Sequence, residues 1–189
     1  MFDMGPYYLT ALITLLGPVK RVTGSARRSF ATRTITSEAK RGRKIEVEVP
    51  THVAAVLDFA SGAVVSLLVS FDVQAARLPI IEIYGSAGTL AVPDPNMFDG
   101  PVEVFETRSG QWRPVDLIAG GFRENSRGLG LAEMADTIAS ERPHRASGGL
   151  ALHVLEVMHA VHEASETGRH VALTTTCCRP EHLPAGWRA

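Results

Sequence analysis

Cysteine is nearly absent: the 189 residues contain two, the neighbours Cys177 and Cys178. They make no Cys-x-x-Cys pair and no disulfide framework, which predicts a reducing, cytoplasmic setting. No apolar run approaches the roughly 20 residues of a membrane-spanning helix, so no membrane partner is expected. The N-terminus lacks the basic region and small-residue cleavage site of a signal peptide. Charge of one sign is also missing: 19 Lys and Arg face 20 Asp and Glu, a formal net charge of −1. That balance excludes a general attraction to nucleic acid. No Gly-x-Gly-x-x-Gly follows a strand, and Gly128-Leu129-Gly130 opens a helix without a third glycine, so no dinucleotide-binding unit is expected in the chain. Ser147-Gly148-Gly149 sits on no strand–turn–helix elbow, which removes serine hydrolase chemistry.

What remains is a globular composition, 45% hydrophobic and 21% charged, long enough for one domain with a sizeable core. The most informative stretch is the first. Gly5 permits a turn, Pro6 suits the start of a helix, and Leu9, Leu12, Ile13 and Leu16 follow at the spacing of a buried face. Gly17-Pro18 stops that helix. Asp3, Tyr7 and Tyr8 then gather at its positive end, where an anionic oxygen is stabilised. On the residues alone, the plainer reading is a buried helix whose tyrosines pack and whose aspartate caps.

From Val19 to Ile35 the pattern is that of a ragged strand, and between Lys20 and Lys44 nine cations face the single acid Glu38. This basic interval reads as a solvated strand edge, or alternatively as a rim facing a phosphate or acidic group on a neighbouring domain. Ile45, Val47 and Val49 alternate with Glu46 and Glu48, and His52 to Phe59 continues the strand. Ala60-Ser61-Gly62 turns it into Ala63–Phe71, which has apolar residues at both parities. Pro79–Gly85 and Thr89–Pro93 make another hairpin, with Gly85 and Gly88 suited to supply left-handed turn residues. Val102–Thr107 and Gln111–Val115 follow, the latter placed at a sheet edge by Pro114. Ile118 to Ser126 reads as a flexible connection.

Two helices are predicted near the end. One runs from about Gly128 to Glu141 with Leu131, Met134, Ala135, Ile138 and Ala139 as its inner face. The other runs from about Gly149 to Glu166, on Leu150, Val154, Val157, Met158, Val161 and Ala164. Its His153, His159 and His162 diverge around the axis and are expected on the helix surface, with no metal bound. Val171–Leu173 is a last short strand. The order of one helix, a run of strands, two helices and a strand predicts an α+β domain over 1–178, with 179–189 as a tail.

Asp3-x-Gly5-x-Tyr7, the apolar helix ending Leu15-Leu16-Gly17, the hairpin Gly85-x-x-Gly88-x-Leu90, and the closing run Arg142-Pro143-x-Arg145, long helix, Gly168-Arg169-x-Val171 together resemble the second domain of the glucose–fructose oxidoreductase / inositol dehydrogenase (Gfo/Idh/MocA) family. The resemblance implies a mainly antiparallel, open (mixed) sheet with helices on one face, and a free face that commonly makes the subunit interface. It does not extend to the family's other half, the Rossmann domain. Tyr7 stands where many members carry the acid/base His, and it is similar to the branches that carry a Tyr there. Thr10 occupies the place of a second Asp. The family's catalytic lysine lies in a Lys-Pro dipeptide, and here Lys20, Lys40 and Lys44 are each followed by another residue. The implied protein is the substrate-binding and oligomerisation domain of an NAD- or NADP-dependent sugar or polyol oxidoreductase, inactive without its nucleotide-binding half. Tyr7 would be the proton donor/acceptor and Asp3 its partner, with Thr10 and Arg127 as substrate contacts. The rival expectation is a non-enzymatic module that dimerises through the open sheet face.

Overall fold

The computed structural model describes residues 1–116, 122, 124, 126–184 and 186–187. In chain order its elements are α1 (Gly5–Leu16), β1 (Val19–Arg27), β2 (Thr32–Thr34), β3 (Lys44–Glu46), β4 (His52–Phe59), β5 (Val64–Ser70), β6 (Ile81–Gly85), β7 (Gly88–Val92), β8 (Glu103–Glu106), β9 (Gln111–Pro114), α2 (Leu129–Ala139), α3 (Gly148–Thr167) and β10 (Val171–Ala172). Among the described residues every strand pairing is antiparallel. The class is therefore α+β, and no parallel βαβ unit occurs among them. The chain divides into two compact units, one of Met1–Ala75 with Gly148–Arg179, the other of Ala76–Ser147 with Pro180–Ala189. The predicted flexible connection at 118–126 falls largely outside the described residues.

In the first unit the sheet order is β10-β1-β4-β5. Strand β4 alternates as its sequence requires: Val53, Ala55, Leu57 and Phe59 are buried, while Ala54 and Val56 face outward. α3 covers β1, and α1 packs on α3. Leu9, Leu12 and Ile13 of α1 and Leu150, Val154, Val157 and Val161 of α3 complete the core. Gly17 ends α1 at φ 91°, with its N–H on the Ile13 carbonyl at 2.9 Å. The outer face of the sheet exposes Val56, Val64 and Leu68.

The structure corrects two strand expectations here. The segment from Val19 to Ile35 is not one ragged strand; β1 stops at Arg27, and Thr32–Thr34 pairs with Lys44–Glu46 in a separate ribbon. Nor does the alternation from Ile45 run on into β4. Pro50 cannot donate to a ladder, and the chain bends between β3 and β4, with Val47 turned inward while Ile45 and Val49 are exposed. The base of the ribbon is held by a polar knot. The Asp72 carboxylate accepts the Thr51 hydroxyl at 2.6 Å and the Arg33 guanidinium at 2.8 Å. Hydroxyls of Ser29 and Thr51, then Arg33, hold the Asp72 carboxyl below its usual range.

The second unit carries the meander β6-β7-β8-β9, with β9 at an edge as Pro114 requires. Gly85 and Gly88 do not supply left-handed turn residues; neither has positive φ. Gly88 is glycine for another reason: a Cβ there would stand 2.0 Å from the Phe105 carbonyl oxygen, so only a bare backbone lets β8 pair so closely. Helix α2 also departs from expectation. Its buried positions are Glu133 and Thr137, whereas Leu131 is 74% exposed and Ile138 is exposed with it. The inward face is set by a polar anchor. Arg145 pairs with Glu133, and its guanidinium also donates to the carbonyls of Glu181 at 2.8 Å and His182 at 2.9 Å.

Candidate active site

Helix α1 begins against α3. Met1 is buried, and a Cβ on Gly5 would lie 3.3 Å from the Met1 sulfur and 3.2 Å from that of Met158. A side chain on Gly5 would press on both methionine sulfurs at the helix start. The Gly5 N–H donates to the Met1 carbonyl at 2.7 Å. The ring of Phe2 stacks on His162 at 5.4 Å between centroids and tilts against His159 at 4.9 Å. Burial pushes the His162 imidazole below its ordinary range. The N-terminal residues are therefore fixed to the same long helix that carries the core.

On this anchored end Tyr7 is 41% exposed. Among the described residues no hydrogen bond reaches its hydroxyl. Thr10, one turn later and on the same side of the helix, is half-buried; its carbonyl accepts the Thr14 hydroxyl at 2.8 Å. Tyr8 is half-buried, so the two tyrosines have different surroundings. Asp3 is exposed and precedes the helix. It does not cap, because the N-cap position is Met4, with no side-chain capping bond. The first-turn donors of Gly5 and Tyr7 are engaged by the Met1 and Met4 carbonyls, and Pro6 has none. This end of the helix therefore carries an exposed phenol with a threonine beside it, rather than a nest of free backbone N–H groups.

Arg127 belongs to the second unit. It precedes α2, donates to Asn96 Oδ1 at 3.3 Å, and lies 6.0 Å from the centre of the Phe98 ring. In the basic interval Arg21 pairs with Asp58, Arg33 with Asp72 and Arg41 with Glu38, and Arg28 donates to the Val47 carbonyl. These side chains serve their own unit. An open cleft of about 410 Å³ lies at one end of the first sheet, lined by Lys20, Arg21, Asp58, Phe59 and Val64. Tyr7 and Thr10 do not line it. No group of three or more His, Cys, Asp or Glu suited to a metal ion occurs among the described residues.

The histidine expectation needs correction at His153 and in part at His162, which is half-buried with its Nε2 closed to solvent. His159 is exposed, but His153 is fully buried. Its Nε2 accepts the Val19 N–H at 3.0 Å, and its Nδ1 faces Thr175 Oγ1 at 2.8 Å. Glu156 is also engaged: burial pushes its carboxyl up, but hydroxyl and amide bonds from Thr174 and Thr175 outweigh this and hold it at about 2. Helical periodicity puts His153 beside Val154 and Val157. The partners Val19 and Thr175 lie far away in sequence, so no local signal could have found them.

The GFO/IDH/MocA C-terminal domain family matches residues 1–91. No curated protein matches the chain. Among solved structures, levoglucosan dehydrogenase in complex with NADH and L-sorbose is 19% identical with a TM-score of 0.70, and the match covers 92% of this chain and 50% of that one. Aldose-aldose oxidoreductase from Caulobacter crescentus, complexed with glycerol, is 22% identical with a TM-score of 0.66, covering 89% and 46%. An oxidoreductase from Agrobacterium radiobacter, in complex with NAD+, L-tartaric acid and magnesium, is 18% identical with a TM-score of 0.62, covering 90% and 48%. The chain spans about half the length of these structures.

Proposed function

The chain carries a GFO/IDH/MocA C-terminal domain, and from that premise we propose that it is the substrate-binding and oligomerisation half of an NAD(P)-dependent oxidoreductase acting on a sugar or polyol. One observation carries the reading. The helix that begins the matched region presents Tyr7 with a free phenol, fixed from behind by Met1, Leu9, Leu12 and Ile13. Similar folds occur in proteins bound to L-sorbose and glycerol, ligands dense in hydroxyl groups.

When an alcohol is oxidised, its hydroxyl proton passes to the Tyr7 oxygen; in the reverse direction the Tyr7 hydroxyl gives that proton to the carbonyl oxygen. Thr10 offers a hydroxyl one turn along for a neighbouring substrate oxygen, and Asp3 an acceptor at the approach to the helix. The described residues do not fit NAD or NADP by themselves, because antiparallel sheets place no helix N-terminus after a parallel strand. No step of hydride chemistry is therefore assigned to this chain, which alone is inactive. Calorimetric titration of the 189-residue protein with NADH and NADPH should give no micromolar binding.

Joined to a nucleotide-binding half, Tyr7→Phe should lower turnover by roughly 10²–10⁴-fold, the usual worth of a positioned acid/base. Substrate affinity should change far less. The melting temperature should hold, since the exposed hydroxyl supports no internal bond. Tyr8→Phe is the control, and equal losses in both would remove the assignment. The rival reading, a non-enzymatic association module, is favoured by the apolar outer face of Val56, Val64 and Leu68; a joined wild-type protein that binds NADH but turns over no sugar or polyol would support it, whereas normal turnover of joined Tyr7→Phe would remove only the role of Tyr7.

A further inference from the structure

The chain leaves α1 at Gly17 and enters β1 through a register shift between Val19 and Arg21. Such a shift takes a backbone donor out of the ladder. The Val19 N–H finds its acceptor in a side chain on the far side of the sequence, His153 Nε2 at 3.0 Å. The other ring nitrogen faces Thr175 Oγ1 at 2.8 Å, and the Thr175 hydroxyl bonds Glu156 Oε2. Glu156 also accepts the N–H groups of Thr174 and Thr175, each at 2.8 Å, and the Thr174 hydroxyl at 2.6 Å.

Each bond in this row has a forced direction. An ionised carboxylate only accepts, so Thr175 must give its single hydroxyl proton to Glu156. The Thr175 oxygen must then accept from the imidazole, which places the ring proton on Nδ1. Nε2 is left bare, as the Val19 N–H requires. A second proton on the ring would set Nε2–H against Val19 N–H, two donors with no acceptor between them, at a site closed to water.

We propose that His153, Thr175 and Glu156 form a proton-released clasp, which fastens the start of β1 and residues 174–175 to α3 while the imidazole is neutral and lets go of Val19 when the ring is charged. Among the described residues Glu156, on α3 itself, is the one charged group that faces the ring. α1 carries no acid or base beyond its tyrosines. On β1, Lys20 and Arg21 are exposed, and Arg21 is paired with Asp58 of β4. After β10 the segment contributes the two threonines and Cys177, whose thiol burial pushes up. Burial lowers the His153 pKa from 6.5, and Glu156 opposes this in part. The released state therefore binds the extra proton. The clasp is at full strength above pH 6.5, weakens as pH falls below that value, and stops weakening once the clasped ring is itself charged.

Nuclear magnetic resonance of the whole chain with ¹⁵N-labelled histidine tests this. At neutral pH, His153 should show a protonated Nδ1 and a bare Nε2. Amide exchange at Val19, corrected for the intrinsic effect of pH on exchange, should accelerate by up to about tenfold per pH unit once His153 begins to favour the charged form in the released state. His153→Phe, which keeps a ring but cannot take a proton, should exchange fast at Val19 throughout and show no such step. A proton on Nε2 at neutral pH, or Val19 protection that stays flat as His153 titrates, would overturn the clasp. Both of those readings come from the wild-type chain, so the test stands even if the variant does not fold.

Discussion

Gly24 of β1 and Val161 of α3 meet so closely that a Cβ on Gly24 would lie 3.0 Å from Val161 Cγ1 and 3.1 Å from the Ala54 carbonyl oxygen. The helix rides on the first sheet at the one position of its strands without a side chain. Val161 is fully buried in α3, where a β-branched side chain has one strongly preferred rotamer, and the Ala54 carbonyl is held in the pairing of β4 with β1. Gly24→Ala should therefore destabilise the chain by about 1–3 kcal/mol, the range for overpacking a filled core. Adding Val161→Ala should recover only part of the loss. A urea titration measures both, and a neutral Gly24→Ala would show that α3 can lift off the sheet without cost.

Glu156 sets an acid limb on stability. Its carboxyl is held at about 2 against a free value of 4.5. A carboxyl lowered in the folded state stabilises above its unfolded pKa and loses that contribution as pH falls through the folded one. The urea midpoint should thus decline between about pH 4.5 and about pH 2. Glu156→Gln should start lower at neutral pH and show a shallower decline across that window. A mutant curve parallel to the wild type would mean that the threonine bonds do not survive in solution.

The outer face of the first sheet supplies a prediction about assembly. Val64 is 68% exposed, with Leu68 four residues further along the same face of β5 and Val56 beside them on β4. Inward-pointing Val65, Leu67 and Val69 account for the other parity of that strand. We expect a dimer or larger in sedimentation at micromolar concentration, and Leu68→Lys should shift it to monomer while leaving secondary structure intact. A wild-type monomer at those concentrations would remove the oligomerisation part of the proposed function.

Arg145 in the second unit tests a buried polar anchor. Its partner Glu133 keeps 6% of its side chain exposed, whereas Arg145 keeps 22%. Arg145→Ala leaves the acid unpaired and should cost up to about 3 kcal/mol, the lower end for breaking a buried ion pair, since water reaches the arginine side. It should also speed amide exchange around 181–184, where the guanidinium holds the carbonyls of Glu181 and His182. Unchanged melting and exchange would show that the tail does not depend on this contact.

Much of the fold was legible in the order of residues. Pro6 and the Leu9, Leu12, Ile13 spacing fix a helix, Gly17 ends it, and Ala60-Ser61-Gly62 turns β4 into β5 as an antiparallel pair. The Asp3-x-Gly5-x-Tyr7 run pointed to the family over the residues that match it. These are local signals, carried by steric preference and periodicity within a few residues.

The rest depended on contacts between distant segments. The sequence marks Gly88 as a turn residue, but the approach of the Phe105 carbonyl is what excludes a side chain there. Apolar spacing assigns Leu131 and Ile138 to the inner face of α2, yet the Glu133–Arg145 pair turned that helix the other way. His153 lies on a helix whose periodicity cannot say which polar side chain will be closed in. Its burial follows from a missing ladder bond at Val19, 134 residues earlier, and from Thr175 arriving from the opposite direction. Sequence by itself determined the three helices, the β4–β5 and β6–β7 hairpins and which end of α1 would present Tyr7, but not where β1 stops or that β2 and β3 form a separate ribbon. Tertiary structure decided which polar groups would have to satisfy one another, because that pairing exists only once the distant parts of the chain have excluded water together.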